Sequence, residues 1–157
     1  MILGKDDQRQ NIRAVFLHRQ ESYCLGDVAR LTGFPPAKLR REVRMGWRDA
    51  SKVNGSWQFT WRQLVFVALS EWTLGEILDA LGSEAEAVLP PLLTLRTVTV
   101  RLPEFILRAL EMTAADHGMT LDDALHGELI DYAGTVATRL GPRIPGYQEA
   151  YLYPCGE

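Results

Sequence analysis

The sequence predicts a mainly α-helical protein built of two small modules, and three observations carry that expectation. Apolar residues recur at helical spacing through most of the chain. Gly and Pro punctuate it at short intervals, so most helices are short. At Thr94 the period changes to strict alternation for one short stretch before it becomes helical again. The 157 residues, 46% hydrophobic and 24% charged, suit one ordinary domain or two very small ones and argue against wholesale disorder.

In chain order, residues 6–20 place Ile12, Val15, Phe16 and, less cleanly, Arg19 on one helical side. A short second helix spans 26–32, with Val28, Ala29 and Leu31 as its apolar content, and ends at Gly33. Pro35-Pro36 cannot continue that helix but can open the next, which runs from about Pro36 to Arg44 and stops at Gly46. The turn chemistry of Ser51-Lys52-Val53-Asn54-Gly55-Ser56 reads as a hairpin between two short extended pieces. Thr60 and Thr73 are N-caps for helices reaching Ser70 and Leu81. Residues 1–82 thus form the first module, and 83–93, broken by Pro90-Pro91, form a linker.

In the second module, residues 94–140, Thr97, Thr99 and Arg101 alternate with Val98, Val100 and Leu102 as one short strand. Pro103 ends it and opens a helix carrying Ile106, Ala109, Leu110, Thr113 and Ala114, closed by Gly118. Thr120 starts a last long helix, with Asp122 and Asp123 in its first turn and a stripe of Leu121, Ala124, Leu125, Leu129, Ile130 and Ala133. The tail, 141–157, is rich in Pro, Gly and Tyr and has no clear period.

The net charge of −3 conceals a contrast. Residues 1–70 hold 12 Lys/Arg against 6 Asp/Glu, and residues 71–157 hold 5 against 14. A basic half joined to an acidic half suggests that one half meets a polyanion; the plainer alternative is a mixed surface divided at an arbitrary place. No apolar run is long enough to span a membrane, and the N-terminus lacks the apolar core of a signal peptide, so a cytoplasmic location is expected. Cys24 and Cys155 read as unrelated thiols in a reducing compartment, with a disulfide between them as the other reading. His18 and His117 sit in no metal-ligand or nucleophile spacing. Asp122 and His126 suit a surface pair at i,i+4 better than half a metal site. No enzyme, cofactor or metal is expected.

Two short helices joined at Gly33, then a hairpin and another helix, outline a winged helix-turn-helix whose second helix can enter a DNA major groove. On that helix Leu39 and Val43 face inward, leaving Lys38, Arg40, Arg41 and Arg44 for phosphate contacts and guanine edges. Residues 23–78 resemble the DNA-binding domain of the MerR superfamily. The resemblance is carried by Tyr23-Cys24-Leu25-Gly26-Asp27-Val28-Ala29-Arg30-Leu31-Thr32-Gly33, Leu39-Arg40-Arg41, Gly55-Ser56-Trp57-Gln58-Phe59-Thr60 and Leu74-Gly75-Glu76-Ile77. It implies a DNA-binding winged helix with Arg40 and Arg44 at recognition-helix positions. Ser56-Trp57-Gln58 stands where that family's wing carries a Tyr-Arg-Arg-like run, so Lys52 and Asn54 are the candidate wing contacts. The long dimerising coiled coil and the ligand pocket of its sensor members are absent. Trp57, Trp61 and Trp72 read as core or interface rather than as base-stacking residues.

One strand and two helices cannot bury their apolar faces alone, whereas two copies paired antiparallel through the strand can. Residues 97–133 resemble the ribbon-helix-helix family through Val98-Thr99-Val100-Arg101-Leu102-Pro103-Glu104, Leu110, Ala114, Gly118-Met119-Thr120 and Leu125. The resemblance implies a dimer through a two-stranded antiparallel ribbon. Val98, Val100, Leu102, Leu125 and Leu129 would be dimerising residues, and Thr97, Thr99 and Arg101 the base-reading face. The amides of Thr120 and Leu121 would anchor phosphate. Residues 94–140 hold 4 cations against 7 anions, so dimerisation without DNA contact is an equal reading of the ribbon. The expected function is a homodimeric repressor that binds double-stranded DNA, with control of its own promoter as one form of that role. The alternative is an antitoxin that grips a protein toxin with its tail, through Tyr147, Tyr151, Leu152 and Tyr153.

Overall fold

A computed structural model describes residues 4–155. The chain is mainly helical with one small three-stranded antiparallel sheet, and it divides into two units at Leu89/Pro90. Among the described residues no helix is long and apolar enough to cross a membrane.

The first unit begins with α1 (Lys5–Leu17), whose Asp6 and Asp7 sit at its positive end and whose Ile12, Val15 and Phe16 are buried. The helix stops at Leu17, short of Arg19, whose guanidinium instead lies 3.6 Å from the Trp61 ring centroid. Trp61 also donates its indole N–H to Val15 O at 2.7 Å, so it locks the end of α1. Next come β1 (Tyr23–Cys24), α2 (Leu25–Thr32) and α3 (Pro36–Arg44). Gly33, at φ 78°, takes the left-handed turn that separates the two helices. Thr32 secures that turn by donating to Val28 O at 2.7 Å and accepting from the Phe34 N–H at 3.2 Å.

Strands β2 (Ser51–Val53) and β3 (Ser56–Phe59) form the hairpin, with Lys52 opposite Trp57. Its turn is Asn54-Gly55 alone, at φ 48° and 81°, the two left-handed positions that a tight two-residue turn requires. The sequence pattern showed no β1, because two residues hold no alternation to read. It pairs with β3 through Tyr23 opposite Phe59, giving the order β1-β3-β2. Helices α4 (Trp61–Ala68) and α5 (Leu74–Leu81) each start on a reciprocal cap, Thr60 with Gln63 and Thr73 with Glu76. The expected linker 83–93 is in part structural: a 3-10 turn at Gly82–Glu84 leads from α5 into α6 (Ala85–Val88), and Ala85 and Leu89 are buried in the first unit. Arg13 ties this stretch down by pairing with Glu84 and donating to Ala80 O at 3.1 Å.

The second unit holds α7 (Glu104–His117) and α8 (Leu121–Leu140), joined at Gly118 and packed on each other. Thr120 caps α8 by accepting from the Asp123 N–H at 3.1 Å. The tail is not structureless: α9 (Tyr147–Tyr151) packs on α8, where Tyr147 donates its hydroxyl to Ala133 O at 2.7 Å. Room for it comes from Gly134, since a Cβ there would lie 2.8 Å from the Tyr151 hydroxyl. Tail aromatic spacing gave no period because the helix is a single turn and a half.

Candidate nucleic-acid interface

Four of the first unit's twelve cations, Lys38, Arg40, Arg41 and Arg44, lie on α3, and its inner side explains their arrangement. Leu39, Glu42 and Val43 are buried, so Arg40, Arg41 and Arg44 are left on the exposed faces. Glu42 is not part of a solvated face. It accepts from the Arg48 Nε–H at 2.7 Å with both side chains 12% exposed, and Arg48 reaches on to Ser70 Oγ at 3.0 Å. Arg48 also lies over the Phe34 ring at 4.7 Å. An ion pair thus fixes α3 against the loop that follows it and against the end of α4.

A cleft of about 550 Å3 opens between three elements. One wall is the start of α2, with Cys24, Leu25 and Gly26; a second is the Pro36–Arg40–Arg44 stripe of α3. The third is the hairpin, with Lys52, Gly55, Ser56 and Trp57. No carboxylate lines it, and among the described residues none pairs with Arg40, Arg44 or Lys52. The Lys52 ammonium lies 5.7 Å from the Trp57 ring centroid. The start of α2 in the same wall is capped by the chain's own Asp27, so the cationic character of the cleft rests on the three side chains.

That helix start is held by a cap the sequence reading did not identify. The Cys24 sulfur accepts from the Asp27 N–H at 3.4 Å, and the Asp27 carboxylate accepts from the Cys24 N–H at 3.3 Å and from the thiol at 3.0 Å. The thiol hydrogen bond, helped by Arg30 and the Cys24 amide and opposed by partial burial, holds the Asp27 carboxyl below its ordinary value. Both thiols are free and exposed.

Of the predicted DNA-facing residues, Arg40, Arg44 and Lys52 come together in the cleft, although α3 and the hairpin are separate elements. Lys38 leans away, 3.9 Å from Glu42 and 4.9 Å from the Phe34 ring. Arg41 is exposed on α3 outside the cleft, and Asn54 forms the hairpin tip. Thr97, Thr99 and Arg101 are exposed in a stretch of the other unit that has no regular secondary structure in the single chain. Val98, Val100 and Leu102 are exposed as well, Leu129 too, and Leu125 is half-buried. At the predicted phosphate anchor, Thr120 and Leu121, the Thr120 hydroxyl donates to the Asp123 carboxylate at 2.7 Å, which places the chain's own acid beside the start of α8.

Trp57, expected in the core or an interface, is half-buried and lines the cleft. The signal for that place was present: a two-residue Asn-Gly turn sets the register, and counting outward puts Trp57 opposite Lys52. Trp61 and Trp72, by contrast, are packing residues, the latter fully buried. The charge contrast also changes. Divided at Leu89/Pro90, the chain carries 12 cations against 11 anions and then 5 against 9, so the half-chain totals lose most of their force. The weight passes to the local, carboxylate-free cleft.

No family model matches the chain, and neither a curated protein nor a solved structure does.

Proposed function

We propose that the chain is a dimeric, sequence-specific DNA-binding repressor. In this reading the first unit is a MerR-like winged helix-turn-helix and the second a ribbon-helix-helix dimerisation module. The observation that carries it is the cleft holding Arg40, Arg44 and Lys52 with no opposing carboxylate. Three cations with no carboxylate partner repel one another and favour a polyanion, and phosphate neutralisation is the main source of DNA affinity. The placement suits a helix in the major groove with a hairpin reaching the adjacent backbone.

The dimer rests on what the second unit leaves uncovered. The largest fully buried side chains all belong to the first unit, whereas the second buries chiefly Ala114, Ala124, Val136 and Ala137. Val98 is 77% exposed, Phe105 74% and Met112 67%. A unit this small with so little core gains stability by covering apolar surface with a partner. Pairing residues 97–102 with the same stretch of a second copy satisfies their backbone groups at the same time. Two first units on one dimer then raise each other's effective concentration on a duplex. The packing of Tyr147 on α8 engages the tail within its own unit, which is why the repressor reading is preferred to a toxin-gripping one.

Fluorescence anisotropy with labelled duplex DNA across a salt series tests the reading. Wild type should bind with steep salt dependence, Arg40→Ala plus Arg44→Ala should lose about tenfold or more in affinity, and Arg101→Ala should change little. Light scattering should give a dimer that Val98→Asp plus Val100→Asp converts to a monomer. A wild-type chain that ignores DNA at low salt, or is a strict monomer, refutes the proposal.

A further inference from the structure

Within the DNA-binding reading, on which this inference rests, the geometry points to a division of labour on α3. Arg40 and Arg44 grip one sugar-phosphate strand, and Arg41 reads base edges and sets the sequence preference. Three observations support it. First, Arg40 and Arg44 lie four residues apart on the stripe that walls the cleft, together with Lys52 of the hairpin and the start of α2. A concave wall lined by three cations receives a protruding strand of backbone, which brings its phosphate charge to them.

Second, Arg41 is outside that wall. At about 100° per residue, Arg44, Ala37 and Arg41 all fall within about 35° of the direction opposite the buried arc of Leu39, Glu42 and Val43, with Arg44 on the cleft side of Ala37 and Arg41 on the other. That outer line reaches deepest into any groove the helix enters. Ala37, one turn before Arg41, keeps it narrow and lets the backbone approach closely. Third, Arg41 is uncommitted. Among the described residues it has no carboxylate partner, as Arg40 and Arg44 have none, whereas Lys38 on its own flank is drawn toward Glu42 at 3.9 Å. The arginine fork matches guanine O6 and N7 in a bidentate way, so a free arginine on the crest favours a guanine in the preferred site.

The two roles have different signatures. A random-sequence duplex pool would be enriched on the wild-type full-length chain, and the selected duplex compared with a scrambled one by anisotropy across salt. Arg41→Ala should cut the preference for selected over scrambled DNA by roughly tenfold to a hundredfold while leaving affinity for scrambled DNA nearly unchanged. Arg40→Ala, Arg44→Ala and Lys52→Ala should weaken both duplexes equally. Each should lower the slope of log K against log salt by about 0.9 for every copy that contacts the duplex. Arg41→Lys should keep the charge yet lose most of the preference, because it lacks the fork.

A wild-type chain that binds no duplex overturns the DNA reading itself and this inference with it. A chain that binds but enriches no sequence overturns only the role of Arg41. Uniform weakening by Arg41→Ala, or loss of preference in Arg40→Ala, also overturns the division while leaving DNA binding intact. All four side chains are exposed, so matching melting curves for the variants would separate these outcomes from misfolding.

Discussion

Replacing Glu42 with Ala should be strongly damaging, although it touches none of the outward-facing arginines of α3. Both Glu42 and Arg48 are 12% exposed at their side chains and meet at 2.7 Å. Removing one member of such a pair leaves a charge in a dry place, which costs about 3–5 kcal/mol in general. Arg48 retains Ser70 Oγ at 3.0 Å and the Phe34 face at 4.7 Å, which return part of that loss. The net expectation is a loss of about 2–3 kcal/mol, or on the order of 10–20 °C in Tm for a unit of this size. All four tryptophans lie in the first unit, so tryptophan fluorescence during urea or thermal unfolding reports that unit alone. Glu42→Leu with Arg48→Met should recover most of the loss, since an apolar pair of similar volume avoids the desolvation cost. A single variant within about 0.5 kcal/mol of wild type, or a double variant worse than the single, would refute the assignment of Glu42 as a buried tie.

Further predictions concern the helix cap, the hairpin and the tail. Because the folded Asp27 carboxyl lies below its ordinary value, its contribution is fully present above that ordinary value and lost as pH falls through the folded one. Asp27→Asn should therefore be less stable than wild type near neutrality and converge with it in strong acid, by melting curves across pH; a constant gap at all pH values would contradict the cap. Gly55→Ala should cost about 1–2 kcal/mol, because φ 81° is a left-handed position that a side chain strains, and an unchanged urea midpoint would contradict the turn assignment. Gly134→Val should displace Tyr151 and loosen α9, seen as faster chymotryptic cleavage within 147–153 with no change in the tryptophan-monitored unfolding of the first unit.

Helices with a cap residue and a stop residue were legible to within a residue or two, as at Pro36–Arg44 and Leu74–Leu81. The exceptions share a cause: their reason for existing lies elsewhere in the chain. Strand β1 exists because Phe59 and Gln58 offer it a ladder, and Glu42 is buried because Arg48 reaches it from the following loop. Neither is written in a local period. Residue types at the interface were legible as a cluster on one helix, but selecting Arg40 and Arg44 for the cleft, and Arg41 and Lys38 against it, needed the hairpin in place. The charge totals misled for a related reason, since the acids of residues 71–89 belong to the same unit as the basic helix.

The two sides of α3 have separate tasks, which bears on how such a chain can change over time. Everything that fixes the helix in place, Leu39, Val43 and the Glu42–Arg48 tie, is on one side, and Ala37, Arg40, Arg41 and Arg44 on the other carry none of it. In the proposed DNA-binding role, substitutions on the outer line would alter a target sequence without drawing on folding stability, and copies of this unit could diverge in specificity while keeping one scaffold.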